Sequence, residues 1–575
     1  MSKAQEAEWV QLDWGNIQYK VSKLQSKIYE SSLKGDKKSV VKYQKILINS
    51  HNAKLLAVRR VTQDNQGKRI AGIDGQTVIS NDELIKSAGT LKLDGKSQPL
   101  RRVEILSDKG KVGNLEIPTI EDRAKQILAK LALEPEWEAK FEPNSYGWRP
   151  GKNCQDAVKA IELQIRRKPK FVCQVDISGC FDKIKHSAIL EKCRTFPIME
   201  RQIRAWLKSG VMNDGVFHKS DKVTPQGEVI SPLLANIALN GMEEHISEKF
   251  PTEKTKIGKS EGKIKEICEA RLIRYANDFV IFHEEEQVII KVKEEVEAWL
   301  SQRGLTLNPE QTRIGHTLIE YNGEKPGLEF LGFSIRTFKV GKYKSEKKAN
   351  GEPLLTLTKV KPSEKSIKRF TKRVKEILDQ GHDKKPKLMI NRLSWLIREW
   401  ANYFKTGSHS WETFQELQYH LLNKLYLNWG KKRFSKKGLG YISKKIFHPS
   451  KTSKYTFGWK ENGKTYTVPT LYEFPCTPYV KVQGNRSPYD GDWEYWNERM
   501  INHPETPKDI ASGLKKQKGK CYLCNMNLTV EDKMEIYYKN GDRKNNRKDN
   551  KFVVHSYCRD YHQKMTVSEE ILGVA

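Results

Sequence analysis

Cys521-Tyr522-Leu523-Cys524 and, roughly 30 residues later, His555-Ser556-Tyr557-Cys558 form two knuckles, each with a two-residue gap. Three thiols and an imidazole at that spacing supply the tetrahedral set that a structural zinc needs. His562 competes as the fourth ligand, and the plainer alternative is a small unmetallated domain with three buried thiols. Cys154, Cys173, Cys180, Cys193, Cys268 and Cys476 are scattered, as buried reduced thiols are, so no disulfide framework is indicated.

Charge points to a second chemistry. Lys and Arg number 103 against 71 Asp and Glu, a net charge of +32, which calls for a polyanion partner because each cation that neutralises a phosphate releases condensed counterions. Nucleic acid is the leading partner, and an excess of Lys that only aids solubility is the alternative. Lys20, Lys23, Lys27, Lys34, Lys37, Lys38, Lys42 and Lys45 make one basic array. A second combines Lys365, Lys368, Arg369, Lys372, Arg373 and Lys375 with Arg392, Arg398, Trp395 and Trp400. Cations interleaved with aromatics reach both phosphates and unstacked bases. The competing reading keeps the Trp in the core and the Lys solvated, and for Trp400 core packing is preferred.

Three further segments carry acids or tight turns: Val175-Asp176-Ile177-Ser178-Gly179-Cys180-Phe181-Asp182, Thr224-Pro225-Gln226-Gly227-Glu228 running on to Asn236, and Arg274-Tyr275-Ala276-Asn277-Asp278-Phe279-Val280-Ile281. Taken singly, acids at strand ends and in turns are ordinary structure. The elements around them are legible from periodicity. Residues 14–60 predict two basic helices followed by a loop at 67–75. Between 98 and 340, short strands such as 171–176 and 279–282 alternate with amphipathic helices such as 121–139 and 286–302, which predicts an α+β domain with a central sheet. Residues 362–435 turn helical, 436–510 read as irregular structure or a linker, and a compact module begins near Lys515. No uncharged apolar run of about 18 residues occurs, and Glu6, Glu8 and Asp13 fit neither a secretory signal nor a transit peptide, so an unsecreted protein without a membrane span is expected.

Jointly and in this order, the three segments resemble motifs of reverse transcriptases, most closely the group II intron-encoded proteins. Pro99 to Val103, Ile117-Pro118-Thr119-Ile120-Glu121-Asp122-Arg123-Ala124 and Asn144-Ser145-Tyr146-Gly147-Trp148-Arg149-Pro150-Gly151 are similar to that family's fingers and early palm blocks. Gly304 to Thr312 and Phe330-Leu331-Gly332-Phe333 are similar to its later blocks, and residues 390–405, with Trp400-Ala401-Asn402-Tyr403, to its thumb and maturase region. The resemblance implies a palm in which clustered carboxylates hold two divalent ions, one activating the primer 3′ hydroxyl and one steadying the pyrophosphate. Asp176 matches one carboxylate and Asp278 another. Asn277 stands where the family has the first Asp of a Tyr-x-Asp-Asp turn. An amide brings no charge and cannot bridge two Mg²⁺.

Other matched positions also differ. Leu106-Ser107 and Gly113-Asn114-Leu115-Glu116 replace segments whose cations bind the incoming triphosphate, Glu116 has the wrong sign for phosphate, and Glu228 stands where Gly is usual. The C-terminal module resembles an HNH endonuclease, but Glu535-Ile536-Tyr537-Tyr538-Lys539 lacks the general-base His. The Tyr538 phenol is a poor base at neutral pH where an imidazole would serve, and Arg559 repels a metal where a His would bind it. Asn550 matches the family's Asn with nothing to orient. Lys539, Arg543, Lys544, Arg547 and Lys548 are read as nonspecific DNA contacts or as a solvated loop.

The expected fold is therefore α+β, a right-hand polymerase of fingers and palm followed by an all-helical thumb/maturase domain and a small zinc-binding HNH-like module. The expected boundaries are 1–97 (basic extension and start of the fingers), 98–345 (fingers and palm), 346–435 (thumb), 436–510 (linker or DNA-binding-like region) and 511–575. The expected function is promotion of group II intron splicing by an RNA-binding maturase, with Asp176, Asn277 and Asp278 as a remnant polymerase site retaining at most weak Mg²⁺ binding at Asp176 and Asp278. The alternatives are an active polymerase supporting intron mobility, or a splicing factor acting in trans on several introns. Zn²⁺ is expected in the C-terminal module and Mg²⁺ in the intron ribozyme. Expected partners are intron RNA and, nonspecifically, DNA, with a dimer left open. The expected compartment is where the intron is transcribed: a plastid, a mitochondrion or the bacterial cytoplasm.

Overall fold

Asp13 and Asp36 each accept a backbone N–H at 3.0 Å, from Asn16 and Ser39, and so cap the first two helices, α1 (Trp14–Leu33) and α2 (Lys37–Asn49). The 14–60 stretch holds three helices instead of two, because Ser50 is extended and separates α3 (His51–Arg59), which buries Ala53, Leu55, Leu56, Ala57 and Val58. The computed structural model describes residues 9, 11–64, 70–77, 80–106, 112–213, 216–218, 229–257, 263–267, 269–340, 355–381, 386–450, 452–453, 455–560 and 562. After α4 (Asn81–Thr90) and the antiparallel pair β1 (Leu100–Leu106) and β2 (Val112–Ile117), the chain enters α5 (Ile120–Glu138), capped by Thr119 and buried along almost its whole length.

Pro135 lies inside α5 and has no N–H for the carbonyl four residues back, that of Leu131. Gln25 on α1 fills the gap, its Nε2 donating to Leu131 O at 3.0 Å, and Gln44 on α2 donates to Ala132 O at 3.2 Å and to Glu136 at 2.7 Å. Two buried amides thus fix the N-terminal helices on α5, and their lysines are left facing outward.

The palm is a four-stranded antiparallel sheet in the order β6-β3-β5-β4, built from β3 (Phe171–Asp176), β4 (Arg271–Tyr275), β5 (Asp278–His283) and β6 (Arg313–His316). The period of two sends Cys173, Val175, Phe279 and Ile281 into one core with α5, and Val172, Val280 and Phe282 into a second core with α6 (Cys154–Ile165). Helix α7 (Glu286–Gln302) covers the first face. A second sheet, β7 (Leu328–Phe330), β8 (Phe333–Lys339) and β9 (Thr356–Pro362), leads to α8 (Glu364–Gln380), α9 (Pro386–Phe404) and α10 (Ser410–Lys424). Because β8 and β9 pair, the 345/346 boundary expected from the sequence falls between two strands of one sheet.

The 436–510 stretch is more regular than the linker expected from its composition. The strands β10 (Phe447–His448), β11 (Thr456–Glu461) and β12 (Lys464–Thr467) form a sheet whose Phe457 packs edge-on against Trp429 at 5.3 Å, and α11 (Trp493–Asn502) follows. Asn462-Gly463 between alternating residues is the hairpin signal that the Lys and Gly content obscured. The C-terminal module comprises α12 (Lys508–Gln517) and the hairpin β13 (Met534–Tyr538) with β14 (Lys551–His555) around its own small core. Among the described residues, no helix is long and apolar enough to cross a membrane.

Candidate functional site

The two-residue turn between β4 and β5 brings the sequence-predicted palm residues together. Asp176 and Asp278 are the last register pair of β3 and β5, and Asn277 stands at the tip. Ala276 adopts a left-handed backbone with φ of 59°. Gly147 lies beneath it so closely that an added Cβ would sit 2.3 Å from Ala276 N, so the Asn144 to Gly151 block needs glycine here. The fully buried Arg274 donates to Asn236 Oδ1 at 2.9 Å and to Ala276 O at 3.2 Å, while Asn236 donates to Gly147 O at 2.8 Å. Three segments far apart in sequence therefore clamp one turn.

The turn does not present an open carboxylate cluster. Asn277 Nδ2 donates to Asp176 Oδ1 at 2.9 Å, and Asn308 Nδ2 approaches Oδ2 at 3.3 Å while its backbone N–H binds Asp176 O at 2.9 Å. Asp278 hydrogen-bonds Asp176 as well, and burial followed by the Asp176 charge pushes its pKa up to about 6. Reverse transcriptase domains ordinarily use Mg²⁺, but a two-ion site needs carboxylate lone pairs free to bridge. Here both Asp176 oxygens face amide donors and Asn277 brings no charge where a third carboxylate would stand, so these residues do not fit a pair of Mg²⁺ ions. Asn308 was not singled out from the sequence; its place in the Gly304 to Thr312 block was the available signal.

Around the site, Glu116 is buried and paired with Arg102 on the facing strand at 2.7 Å, which occupies a cation that otherwise would be open to an anion. Ser107 and the turn from Thr224 to Glu228 lie outside the described residues.

Both basic arrays are surfaces. All eight lysines of α1, α2 and their connection are exposed, and Lys27 and Lys42 lie 5.4 and 6.0 Å from the Tyr43 ring. On α8, Phe370, Val374 and Leu378 turn inward while Lys365, Lys368, Arg369, Lys372, Arg373 and Lys375 turn outward. Lys365 meets Glu329 at 3.2 Å and Lys372 approaches Glu376 at 4.0 Å. Arg392 and Arg398 are exposed on α9 with Trp395, which is 66% exposed. Trp400 instead stacks on Phe370 with ring centroids 4.7 Å apart and contacts Phe404 and Phe414.

In the C-terminal module, the ligand atoms of Cys521, Cys524, His555 and Cys558 all lie within 4.8 Å of one another. His555 Nδ1 faces Cys524 Sγ at 3.5 Å and Cys558 Sγ at 3.6 Å, whereas His562 packs against Tyr537. Thiol metal ligands bind as thiolates, so loading this cluster would release protons. Three thiols and one imidazole, mostly buried, fit a four-coordinate structural zinc. Tyr538 ends β13, and Arg559 is tied to Glu535 and Asp560. Asn550 braces the intervening loop through Asn540, Asp542 and Asn545, and Lys539, Arg543, Lys544, Arg547 and Lys548 are exposed.

Three family descriptions match in consecutive order. Residues 9–91 match the N-terminal domain of reverse transcriptase, 107–335 match reverse transcriptase (RNA-dependent DNA polymerase), and 367–447 match the group II intron maturase-specific domain. Protein YkfC of Escherichia coli is 29% identical over 325 residues, covering 49% of this chain and 80% of that protein. The group II intron-encoded protein LtrA of Lactococcus lactis is 28% identical over 345 residues, 50% of this chain and 56% of LtrA. Maturase-like protein 1 of Euglena gracilis is 29% identical over 228 residues, 38% of this chain and 49% of that protein. The chain thus spans about half the length of the last two relatives. These three matches together cover about two thirds of the chain, in the order N-terminal reverse transcriptase domain, reverse transcriptase domain with its palm of four antiparallel strands, and maturase-specific helical region, and on them the chain belongs to the group II intron-encoded reverse transcriptase/maturase family.

Proposed function

We propose that this chain is a maturase that binds a group II intron RNA and promotes its folding and splicing, and that it has lost polymerisation and DNA cleavage. The observation that carries this reading is the Asn277 amide seated on the Asp176 carboxylate, with Asn308 on the other oxygen. No polymerisation step is assigned to the palm. The intron supplies the splicing chemistry, so the protein needs only an RNA-binding surface. The exposed lysines of α1 and α2 suit a structured RNA recognised through backbone and shape, and α8 with Arg392, Trp395 and Arg398 suits phosphates beside an unstacked base.

The expected five-part division stands as part of this proposal, with the 345/346 boundary moved beyond β9. The C-terminal module is read as HNH-like, held by zinc through Cys521, Cys524, His555 and Cys558, and without a catalytic histidine. Zinc would fix the two knuckles to each other, and the exposed basic loop would contribute nonspecific DNA binding. The protein would work where its intron is transcribed, in a plastid, a mitochondrion or a bacterial cytoplasm.

One preparation tests the reading. Intron splicing at low Mg²⁺ is measured with and without protein, beside primer extension on an RNA template with Mg²⁺ or Mn²⁺. Stimulated splicing without extension is expected. Extension above an Asp176→Ala control would overturn the inactive palm and favour intron mobility, and stimulation of several unrelated introns would favour a factor acting in trans.

A further inference from the structure

His555 has two ring nitrogens, and only Nδ1 faces the thiols. Its buried Nε2 lies 3.5 Å from Asp532 Oδ2, a carboxylate whose side chain is 5% exposed. Asp532 is itself held: Oδ2 accepts from Thr529 N–H at 2.7 Å and Thr529 Oγ1 at 2.8 Å, and Oδ1 accepts from Gln18 Nε2 at 2.7 Å. Gln18 belongs to α1, more than 500 residues away in sequence, and its Oε1 accepts from the Tyr557 hydroxyl at 3.1 Å. The Tyr557 ring lies between two of the knuckle ligands in sequence, stacks on His555 with centroids 4.6 Å apart, and is covered by the Arg59 guanidinium at 3.9 Å.

Two further contacts join the same bodies. Arg60 pairs with Glu531 at 2.9 Å. Gly15 on α1 approaches Cys524 so closely that an added Cβ would lie 3.1 Å from Cys524 Cβ and 3.3 Å from its Sγ. The surroundings of the Cys3His cluster are therefore built partly by the N-terminal helices.

We propose that Asp532 is a positioning residue for His555 and that metal loading clamps the C-terminal module onto α1 through Asp532, Gln18 and Tyr557. The inference rests on the reading of the cluster as a zinc site. Metal-bound imidazoles donate their other N–H to a carboxylate, and that partner fixes the tautomer and ring orientation. Here the carboxylate is oriented by an amide of another element, so the ligand geometry and the docking of α1 are one linked equilibrium. The clamp also holds Lys23 of α1 and Lys515, Lys518 and Lys520 of the module on the walls of one cleft of about 1200 Å³.

The test uses the full chain, with zinc stoichiometry from elemental analysis, zinc affinity from competition with a chromophoric chelator, and hydrogen exchange of peptides within Trp14–Leu33. One zinc per chain is expected, and stripping it should speed exchange in Trp14–Leu33 at least tenfold. Asp532→Asn should weaken zinc binding by roughly 10–100-fold. Gln18→Ala should retain one zinc yet speed exchange in both α1 and residues 521–558, giving a second route should the Asp532 variant fail to fold. No zinc at any concentration would overturn the metal reading and the clamp with it. One tightly held zinc whose removal leaves Trp14–Leu33 unchanged would overturn the clamp alone, as would full zinc affinity in Asp532→Asn.

Discussion

Replacing Asn277 by Asp should damage the metal-free protein and make it depend on a divalent cation. The substitution deletes the 2.9 Å donation to Asp176, a charge-assisted bond of about 1.5–3 kcal/mol, and sets a third carboxylate against Asp176 and Asp278. Two unit charges about 4 Å apart at an effective dielectric of about 20 repel by about 4 kcal/mol. Proton uptake limits this term: Asp278 already has a pKa near 6, so protonating it near pH 8 costs about 2 × 1.36, or roughly 3 kcal/mol. The expected loss is thus about 4–6 kcal/mol near pH 8 without metal, falling to about 1.5–3 kcal/mol near pH 5.5, where a proton is nearly free. Thermal melts of the full chain at both pH values, in chelator and in millimolar Mg²⁺, read it as a fall of roughly 5–10 °C that Mg²⁺ reverses in the variant and leaves unaltered in the parent. A variant as stable as the parent in chelator near pH 8 would refute the argument that the amide replaces a cation. Primer extension should stay poor in the variant even with Mg²⁺, because Glu116 still holds Arg102.

Asp278→Asn should have the opposite sign. A carboxyl whose folded pKa is raised to about 6 stabilises the fold least when ionised, so the substitution should gain roughly 2–3 kcal/mol near pH 8, with the gain fading to nothing by about pH 4; a gain independent of pH would contradict the assigned cause. Trp400→Ala should cost about 3 kcal/mol in melts, since its ring packs on Phe370, Phe404 and Phe414. Trp395→Ala should change stability by less than about 0.5 kcal/mol while weakening RNA binding by roughly five- to tenfold. Changing Lys368, Arg369 and Arg373 together to Ala should lower the slope of log affinity against log salt by about 2, and an unchanged slope would remove that face from the RNA surface.

The palm was legible because its strands alternate and its turn is two residues long. The strand 171–176 and the helix 286–302 stand where periodicity puts them. What periodicity could not convey is which polar groups meet across it. Asn308 on Asp176, Arg274 on Asn236 and Gln25 on the carbonyl freed by Pro135 each join residues separated by tens to more than a hundred positions. The region 436–510 differs for another reason: aromatics among many lysines and glycines imitate a linker and mask the Asn462-Gly463 turn, whose sheet packs against Trp429. The choice between His555 and His562 was open for the same cause, since both satisfy the spacing and the strand pairing of β14 alone turns one of them inward.

A palm that relied on two cations for cohesion would repel itself whenever they left. The described palm has a different solution: amides from two separate loops donate to Asp176, and the remaining acid, Asp278, holds its proton up to about pH 6. The turn is also over-determined from below, by Gly147, Asn236 and Arg274, in a way that makes no demand on any ion. Under the proposed function, loss of metal chemistry and retention of shape are then one change, not two. On the proposed maturase reading, a scaffold that holds the N-terminal lysines, the α8 face and the C-terminal module in fixed relation gains from a centre that is stable without Mg²⁺.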